Sequence, residues 1–160
     1  MRFQTLQWLF PVVAALHNGE EAIWLPRWSQ HAVPWYPPIE PGVFRFAALV
    51  LTLLAIVFTY LSFRAGKQSI GAYLTFGYMV ATLGNVLVPH VGLSVAFHTY
   101  MPGLATAVLL NLPVLTFLVR LALKDGYVSG WKATTYSLAV PAFLLLTIRP
   151  LFALARILGF

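Results

Sequence analysis

A histidine and two adjacent glutamates near the N-terminus form the group of side chains best suited to chemistry in this sequence. His17, Glu20 and Glu21 make a His-x-x-Glu-Glu pattern within a largely apolar segment. With about 100° per residue in an α-helix, Glu20 lies about 60° to one side of His17 and Glu21 about 40° to the other. Imidazole and carboxylate groups bind divalent metals and also transfer protons. The pattern therefore predicts a metal site or an acid–base site on one helix face.

This helix face needs partners, because an ionisable group inside a bilayer costs at least about 2.5–3.5 kcal/mol. Two adjacent carboxylates also repel each other. The nearest basic residue downstream is Arg27, which lies beyond a proline. We therefore expect a metal ion, a proton or hydrogen-bonding groups from other helices to compensate the charge. The candidate partners are Asn85, His90 and Tyr100.

The composition of the chain is that of a membrane protein. Of its 160 residues, 60% are hydrophobic and 9% are charged, whereas about 25% of an average soluble domain is charged. We therefore expect one domain, residues 1–160, with lipid as the solvent for most of it. The absence of cysteine excludes disulfides and thiolate ligands. The net charge of +6 comes from scattered lysines and arginines without a basic stripe, which argues against nucleic acid as a partner.

Five apolar segments are long enough to cross a bilayer, which takes about 20 residues. They lie near residues 3–25, 44–64, 70–88, 103–123 and 134–157. We predict an all-α, polytopic integral membrane bundle of about five transmembrane helices. The intervening segment 26–42 contains five prolines, and we predict that it is an interfacial loop without regular helix.

The alternation of five helices determines which chain segments share a side of the membrane. The N-terminus and the turns at residues 64–69 and 124–132 lie on one side, and the loops at 26–42 and 89–101 lie on the other with the C-terminus. The first side carries six basic residues, which are Arg2, Arg64, Lys67, Arg120, Lys124 and Lys132. The second side carries four, which are Arg27, Arg45, Arg149 and Arg156. The positive-inside rule then predicts a bacterial inner-membrane protein with a cytoplasmic N-terminus.

The same alternation brings the candidate site residues together. Three parts of the chain reach the same side of the membrane: residues 17–21, the end of the third helix with Asn85 and His90, and Tyr100 before the fourth helix. In a straight helix Asn85 and His90 would point about 140° apart, because five residues separate them. Pro89 lies between them, so we expect the helix to end or bend there and turn His90 back.

Four features recur along the chain in a characteristic order. They are the run His17-Asn18-Gly19-Glu20-Glu21, then Asn85, then His90, then the run Tyr100-Met101-Pro102-Gly103. In this the chain resembles a bacterial membrane protein family named for its His-x-x-Glu-Glu motif, from the first helix to about Pro113. The resemblance implies a multi-helix membrane fold and a shared site, and it implies no particular activity. In the family the asparagine and the histidine lie one turn apart, whereas here Pro89 adds a residue between them.

The residues favour an integral membrane enzyme that uses a divalent metal, either zinc or iron. The expected metal ligands are His17, Glu20, Glu21 and His90, with Asn85 in support. The expected catalytic residues are Glu20, Glu21, His17 and Tyr100. Because the site opens among apolar helices in contact with membrane lipids, we expect a lipidic or isoprenoid-like small molecule as the substrate. Metal-activated water would hydrolyse it, and iron would instead oxidise it.

The sequence also leaves open a ligand-binding or assembly subunit and two more specific functions. One is a metal-free enzyme, in which a protonated carboxyl paired with His17 isomerises or cyclises a sterol-like or terpenoid substrate. The other is a small transporter or proton-coupled carrier, because intramembrane glutamates and histidines form proton relays. Against the carrier, 160 residues without an internal repeat leave little room for alternating access unless the chain oligomerises. The oligomeric state does not follow from the sequence.

Overall fold

Helices make up most of the chain that the structure describes. The computed structural model describes residues 2–32 and 37–160. The helices are α1 Phe3–Leu6, α2 Leu9–Ser29, α3 Pro41–Ala65, α4 Ile70–Asn85, α5 Gly92–Ala96, α6 Leu104–Thr106, α7 Leu112–Lys124 and α8 Gly130–Ile157. A π-helical turn at Val86–Val91 joins α4 to α5, and a second at Ala107–Asn111 joins α6 to α7. The described helices thus form five consecutive rods, α1–α2, α3, α4–α5, α6–α7 and α8.

The lengths and compositions of these rods confirm a polytopic integral membrane protein. Within the described residues, four rods are long and apolar enough to cross a membrane, namely Pro41–Ala65, Ile70–Ala96, Leu104–Lys124 and Gly130–Ile157. The remaining rod contains α2, whose 21 residues span about 30 Å at the usual rise. Its composition is less apolar because it carries Glu20, Glu21 and Arg27. The predicted all-α membrane fold is therefore confirmed.

The prediction that residues 26–42 contain no regular helix is wrong at both ends of that segment. Helix α2 continues through Pro26 to Ser29, and α3 already begins at Pro41. Proline at position 26 cannot donate a hydrogen bond to the carbonyl of Ala22, and the Nε of Arg45 donates to that oxygen instead, at 3.3 Å. Proline is also well accommodated in the first turn of a helix, as at the start of α3. Residues 33–36 of the segment lie outside the described part of the chain.

Helix α4 lies at the centre of the bundle and packs against α3, α7 and α8. Its Gly77 allows α8 to approach, since a Cβ there would lie 2.4 Å from the backbone oxygen of Tyr136. The fully buried side chains include large apolar ones such as Phe10, Met79 and Leu115. Many large apolar side chains on the outer helix faces are exposed, which suits contact with lipid.

Polar contacts between chain segments show which helix ends lie together. The backbone nitrogen of Phe3 donates to Asp125 Oδ2 at 2.8 Å, and the Gln68 side chain donates to the carbonyl of Gly126 at 3.0 Å. At the opposite end of the bundle, Arg156 pairs with Glu40 at 2.9 Å. The predicted grouping is confirmed: the N-terminus lies beside the α3–α4 and α7–α8 turns, and the C-terminus lies beside the segment before α3.

Candidate metal centre

Helix α2 supplies one histidine and one glutamate to a buried polar group. His17 is 2% exposed, and Glu21, four residues later on the same face, is partly buried. Their closest polar atoms, His17 Nε2 and Glu21 Oε2, are 3.9 Å apart. The i, i+4 spacing explains this contact, because such residues are neighbours on a helix surface.

A break in the third rod brings the second histidine to the same point. Val88 has φ −135° and ψ 118°, which is extended backbone in the middle of an otherwise helical segment. Pro89 follows it, and the chain turns back so that His90 is completely buried. The rings of His90 and His17 meet edge to face, with centroids 4.8 Å apart. The expected bend between Asn85 and His90 is therefore present.

Asn85 lies between the two histidines. Its Nδ2 is 3.3 Å from His17 Nε2 and 3.1 Å from His90 Nε2. In a straight helix, side chains five residues apart would point in different directions. Here the extended backbone at Val88 places Asn85 and His90 side by side. The additional residue relative to the family pattern therefore does not remove Asn85 from the group.

Three of these side chains are close enough together to bind one small cation. Donor atoms of His17, Glu21 and His90 all lie within 4.8 Å of one another, and His90 Nε2 is 3.3 Å from Glu21 Oε1. Around zinc, bonds of about 2.0–2.1 Å place tetrahedral ligands about 3.3 Å apart. The amide of Asn85 lies at the same spacing from both histidines. Turned about its last bond, Asn85 presents Oδ1 in place of Nδ2.

Glu20 does not belong to this group, contrary to the expectation that both glutamates share one metal ion. Its carboxylate faces the start of α6, where it accepts hydrogen bonds from the backbone nitrogens of Gly103 at 2.9 Å and Thr106 at 3.0 Å. The hydroxyls of Tyr100 and Thr106 donate to the same carboxylate. Glu20 thus satisfies the free N–H groups of a helix start, where a negative charge is also favoured. The two glutamates point apart because adjacent helical residues are about 100° apart.

Thr106, which was not among the predicted site residues, contacts both Glu20 and His17. Its Oγ1 donates to Glu20 Oε2 at 2.6 Å and lies 2.9 Å from His17 Nδ1. A hydroxyl has one proton to donate, so with that proton on Glu20 it accepts from His17 Nδ1–H. This leaves the lone pair of His17 Nε2 on the side of His90 and Glu21. Metal-binding histidines are commonly fixed in this tautomer by a hydrogen bond from the other ring nitrogen. Thr106 carries no charge and belongs to no recognisable motif, so no signal in the sequence identified it.

The approach of α6 to the buried group requires glycine at position 103. Gly103 has φ +94°, and a Cβ there would lie 2.4 Å from His90 Cε1 and 3.0 Å from Glu21 Cγ. Tyr100, three residues earlier, lies beyond Glu20 and does not touch the histidines. Partial burial and the hydrogen bond to Glu20 raise the pKa of the Tyr100 phenol above its ordinary value, so the phenol remains a donor at neutral pH.

A groove with a volume of about 1030 Å³ opens beside the centre, between α2 and the α6–α7 rod. Its residues are Ala15, Leu16, Gly19, Glu20, Ile23, Trp24, Arg27, Trp28, His31, Tyr100, Pro102, Ala105, Thr106 and Leu110. His17, Glu21 and His90 are not among these lining residues of the described chain. Glu20 and Thr106 therefore form the wall between the groove and the buried group.

The sequence matches the family described as "Protein of unknown function with HXXEE motif" over residues 8–118. It is also 34% identical over 143 residues to the uncharacterized protein YrkK of Bacillus subtilis (strain 168), covering 89% of each chain. No solved structure matches. The matched residues include the whole of the polar group, from His17 through Asn85 and His90 to Thr106. Because the match covers well over half of its length, the chain belongs to the HXXEE-motif family.

Proposed function

We propose that this protein is an integral membrane enzyme in which His17, Glu21 and His90 bind a divalent metal ion. Asn85 or a water molecule supplies the fourth ligand. The proposal is carried by one observation: donor atoms of His17, Glu21 and His90 all lie within 4.8 Å of one another, and His90 Nε2 is 3.3 Å from Glu21 Oε1, the distance between two ligands of one tetrahedral metal ion.

Charge supports a cation at this point. The carboxylate of Glu20 is already compensated by four hydrogen bonds at the start of α6. Among the described residues, the polar groups that face the Glu21 carboxylate are the imidazoles of His17 and His90. A divalent cation neutralises this remaining charge, whereas two neutral histidines do not.

The set of two histidines and one glutamate suits two kinds of chemistry. With zinc and an open position it is the arrangement of catalytic sites that activate water for hydrolysis. With iron it is the two-histidine, one-carboxylate triad of oxygen-dependent oxidation. Both use a lipidic or isoprenoid-like substrate in this proposal, since apolar residues such as Leu16, Ile23 and Leu110 line the adjoining groove.

Location and orientation complete the proposal. The side with the N-terminus carries six basic residues against four on the other side, which favours a bacterial inner-membrane protein with a cytoplasmic N-terminus. The metal centre then lies toward the outer side, at the end of the bundle that holds the segment before α3.

One observation favours a second candidate, a metal-free acid–base isomerase or cyclase. The Asn85 amide and the Thr106 hydroxyl together give both nitrogens of His17 a hydrogen-bond partner. Glu21 and His90 then form a pair, 3.3 Å apart, that exchanges a proton without a metal. In this arrangement the pair transfers protons to and from a sterol-like or terpenoid substrate.

Metal content distinguishes the two candidates. The wild-type protein and the variants Glu21→Gln, His90→Ala and Glu40→Gln are purified in detergent, loaded with zinc or iron(II), desalted and analysed for metal. We expect about one metal ion per wild-type chain and a near-complete loss in the first two variants, because each lacks a ligand. Glu40 pairs with Arg156 at the surface, so Glu40→Gln is the matched control and retains the metal. A wild-type protein that is folded by circular dichroism and binds neither metal eliminates the metal enzyme in favour of the acid–base enzyme.

A further inference from the structure

The groove beside the metal centre has one apolar and one basic end. Leu16, which is exposed on α2, and Leu110 line its apolar end, and Arg27 and His31 line it near the end of α2. Leu16 and Arg27 lie eleven positions apart on α2, which corresponds to about 16 Å along the helix axis. The groove therefore runs along the surface of α2 from the middle of the helix toward its C-terminal end.

The charges along the groove decide where an anion can lie. The guanidinium of Arg27 forms no ion pair with any residue that the structure describes. Glu20 lies between the two ends, and its negative charge repels an anion from the middle of the groove. An arginine without a carboxylate partner, at the interface end of an apolar groove, is suited to a phosphate or carboxylate headgroup.

The size of the groove limits the rest of the ligand. A volume of about 1030 Å³ is at the upper end of sites for single small molecules, which range over about 300–1,000 Å³. Gly19 widens it at the middle, where a Cβ would meet nothing within 4 Å. At this point the groove is bordered by Glu20 and Tyr100.

We infer that the groove binds a single-chain amphiphile with an anionic headgroup, held with the headgroup at Arg27 and His31 and the chain toward Leu110. This inference names the substrate class of the proposed enzyme and so rests on the proposed function. The chain segment next to the headgroup then lies against Glu20, Tyr100 and Thr106, which separate the groove from the metal centre.

Binding of labelled farnesyl monophosphate to the protein in phosphatidylcholine nanodiscs tests the inference. Arg27→Gln is compared with Arg149→Gln, which removes the same charge from the same end of the bundle on an exposed position of α8. We expect Arg27→Gln to weaken binding about tenfold or more, the effect of losing one charge-assisted hydrogen bond. Arg149→Gln should bind like the wild type. Equal weakening by both variants overturns the inference, because the effect is then general surface charge.

The chain and the headgroup are tested separately. Farnesol should bind more weakly than farnesyl monophosphate and be insensitive to Arg27→Gln, and inorganic phosphate should not compete at equal concentration. Displacement of the probe by an equal amount of phosphatidylglycerol overturns the inference in favour of a general site for anionic lipid headgroups. Gly19→Leu should block binding by filling the groove, whereas Gly84→Leu, at another helical glycine with open space for a Cβ, should not. Unchanged binding by Gly19→Leu overturns the inference.

His90→Ala separates this inference from the proposed function. Because His90 does not line the groove, this variant should lose the metal and still bind farnesyl monophosphate. A wild-type protein that binds metal but binds no more probe than empty nanodiscs contradicts only the groove. One that binds the probe but no metal contradicts only the metal centre.

Discussion

Glu20 and Glu21 are adjacent in the chain but have different surroundings. Glu21 faces two histidines, and Glu20 accepts four hydrogen bonds from Tyr100, Gly103 and Thr106. Only Glu21 is therefore placed to bind a metal directly. Glu20 accepts a hydrogen bond from the Thr106 hydroxyl, and that hydroxyl is in turn hydrogen-bonded to His17 Nδ1.

We predict that Thr106→Val weakens zinc binding by about 10–100-fold, the usual effect of removing a hydrogen-bond partner of a metal-binding histidine. Valine preserves the shape of the side chain but cannot accept the proton of His17 Nδ1 or donate to Glu20. Zinc affinity is measured by competition with a chelator of known affinity. Thr106→Ser retains the hydroxyl and should bind zinc like the wild type. Wild-type affinity in Thr106→Val would show that the threonine does not orient the histidine.

Two irregularities in the helices position the site. The extended residue Val88 interrupts the third rod and returns His90 to the level of Asn85. Gly103, with its positive φ, begins α6 so close to His90 that no side chain fits between them. Elsewhere in the bundle the helices are regular, and α4 and α8 pack closely at Gly77.

We predict that Gly77→Ala destabilises the bundle by about 1–3 kcal/mol, the usual cost of overpacking. The new Cβ would lie 2.4 Å from the backbone oxygen of Tyr136 and 2.8 Å from Val140 Cβ, so α4 and α8 must separate. Thermal unfolding in detergent, followed by circular dichroism, measures the change.

Gly84→Ala is the matched control in the same helix, where a Cβ meets nothing within 4 Å. It should leave the unfolding temperature unchanged or raise it, because alanine favours helix over glycine by about 1 kcal/mol. A Gly77→Ala protein as stable as Gly84→Ala would contradict the close packing of α4 on α8.

For the whole molecule, the contacts of Phe3 with Asp125 and of Arg156 with Glu40 define two ends of the bundle. In the proposed orientation, the first end faces the cytoplasm. Because the chain contains no cysteine, single cysteines introduced at exposed positions of either end can be labelled without background.

We predict that a membrane-impermeant maleimide labels Gln30→Cys in intact bacterial spheroplasts and labels Lys132→Cys only after the membrane is permeabilised. Gln30 lies at the end of α2 and Lys132 near the start of α8, both exposed. Labelling of Lys132→Cys alone in intact spheroplasts would show the reverse orientation. Labelling of both there would contradict the assignment of these residues to opposite sides.

The sequence alone determined the features that lipid imposes on a chain. Apolar segments of about 20 residues predict the helices, and their alternating direction predicts which ends meet. The sequence therefore also predicts that residues 17–21, Asn85 and His90 approach one another, because Pro89 bends the chain. These inferences need only segment length, polarity and order along the chain.

Only the tertiary structure decided the roles of individual side chains. The rotation of α2 about its own axis directs Glu21 to His90 and Glu20 to the start of α6. The sequence could not predict this rotation, because both glutamates lie within about 60° of His17 on the same helix face. Thr106 was also beyond the sequence, since a threonine carries no charge to identify it and its position depends on how α6 packs against α2. Rotations of tens of degrees and shifts of a few ångströms are set by close packing between helices, which residue spacing along one chain does not encode.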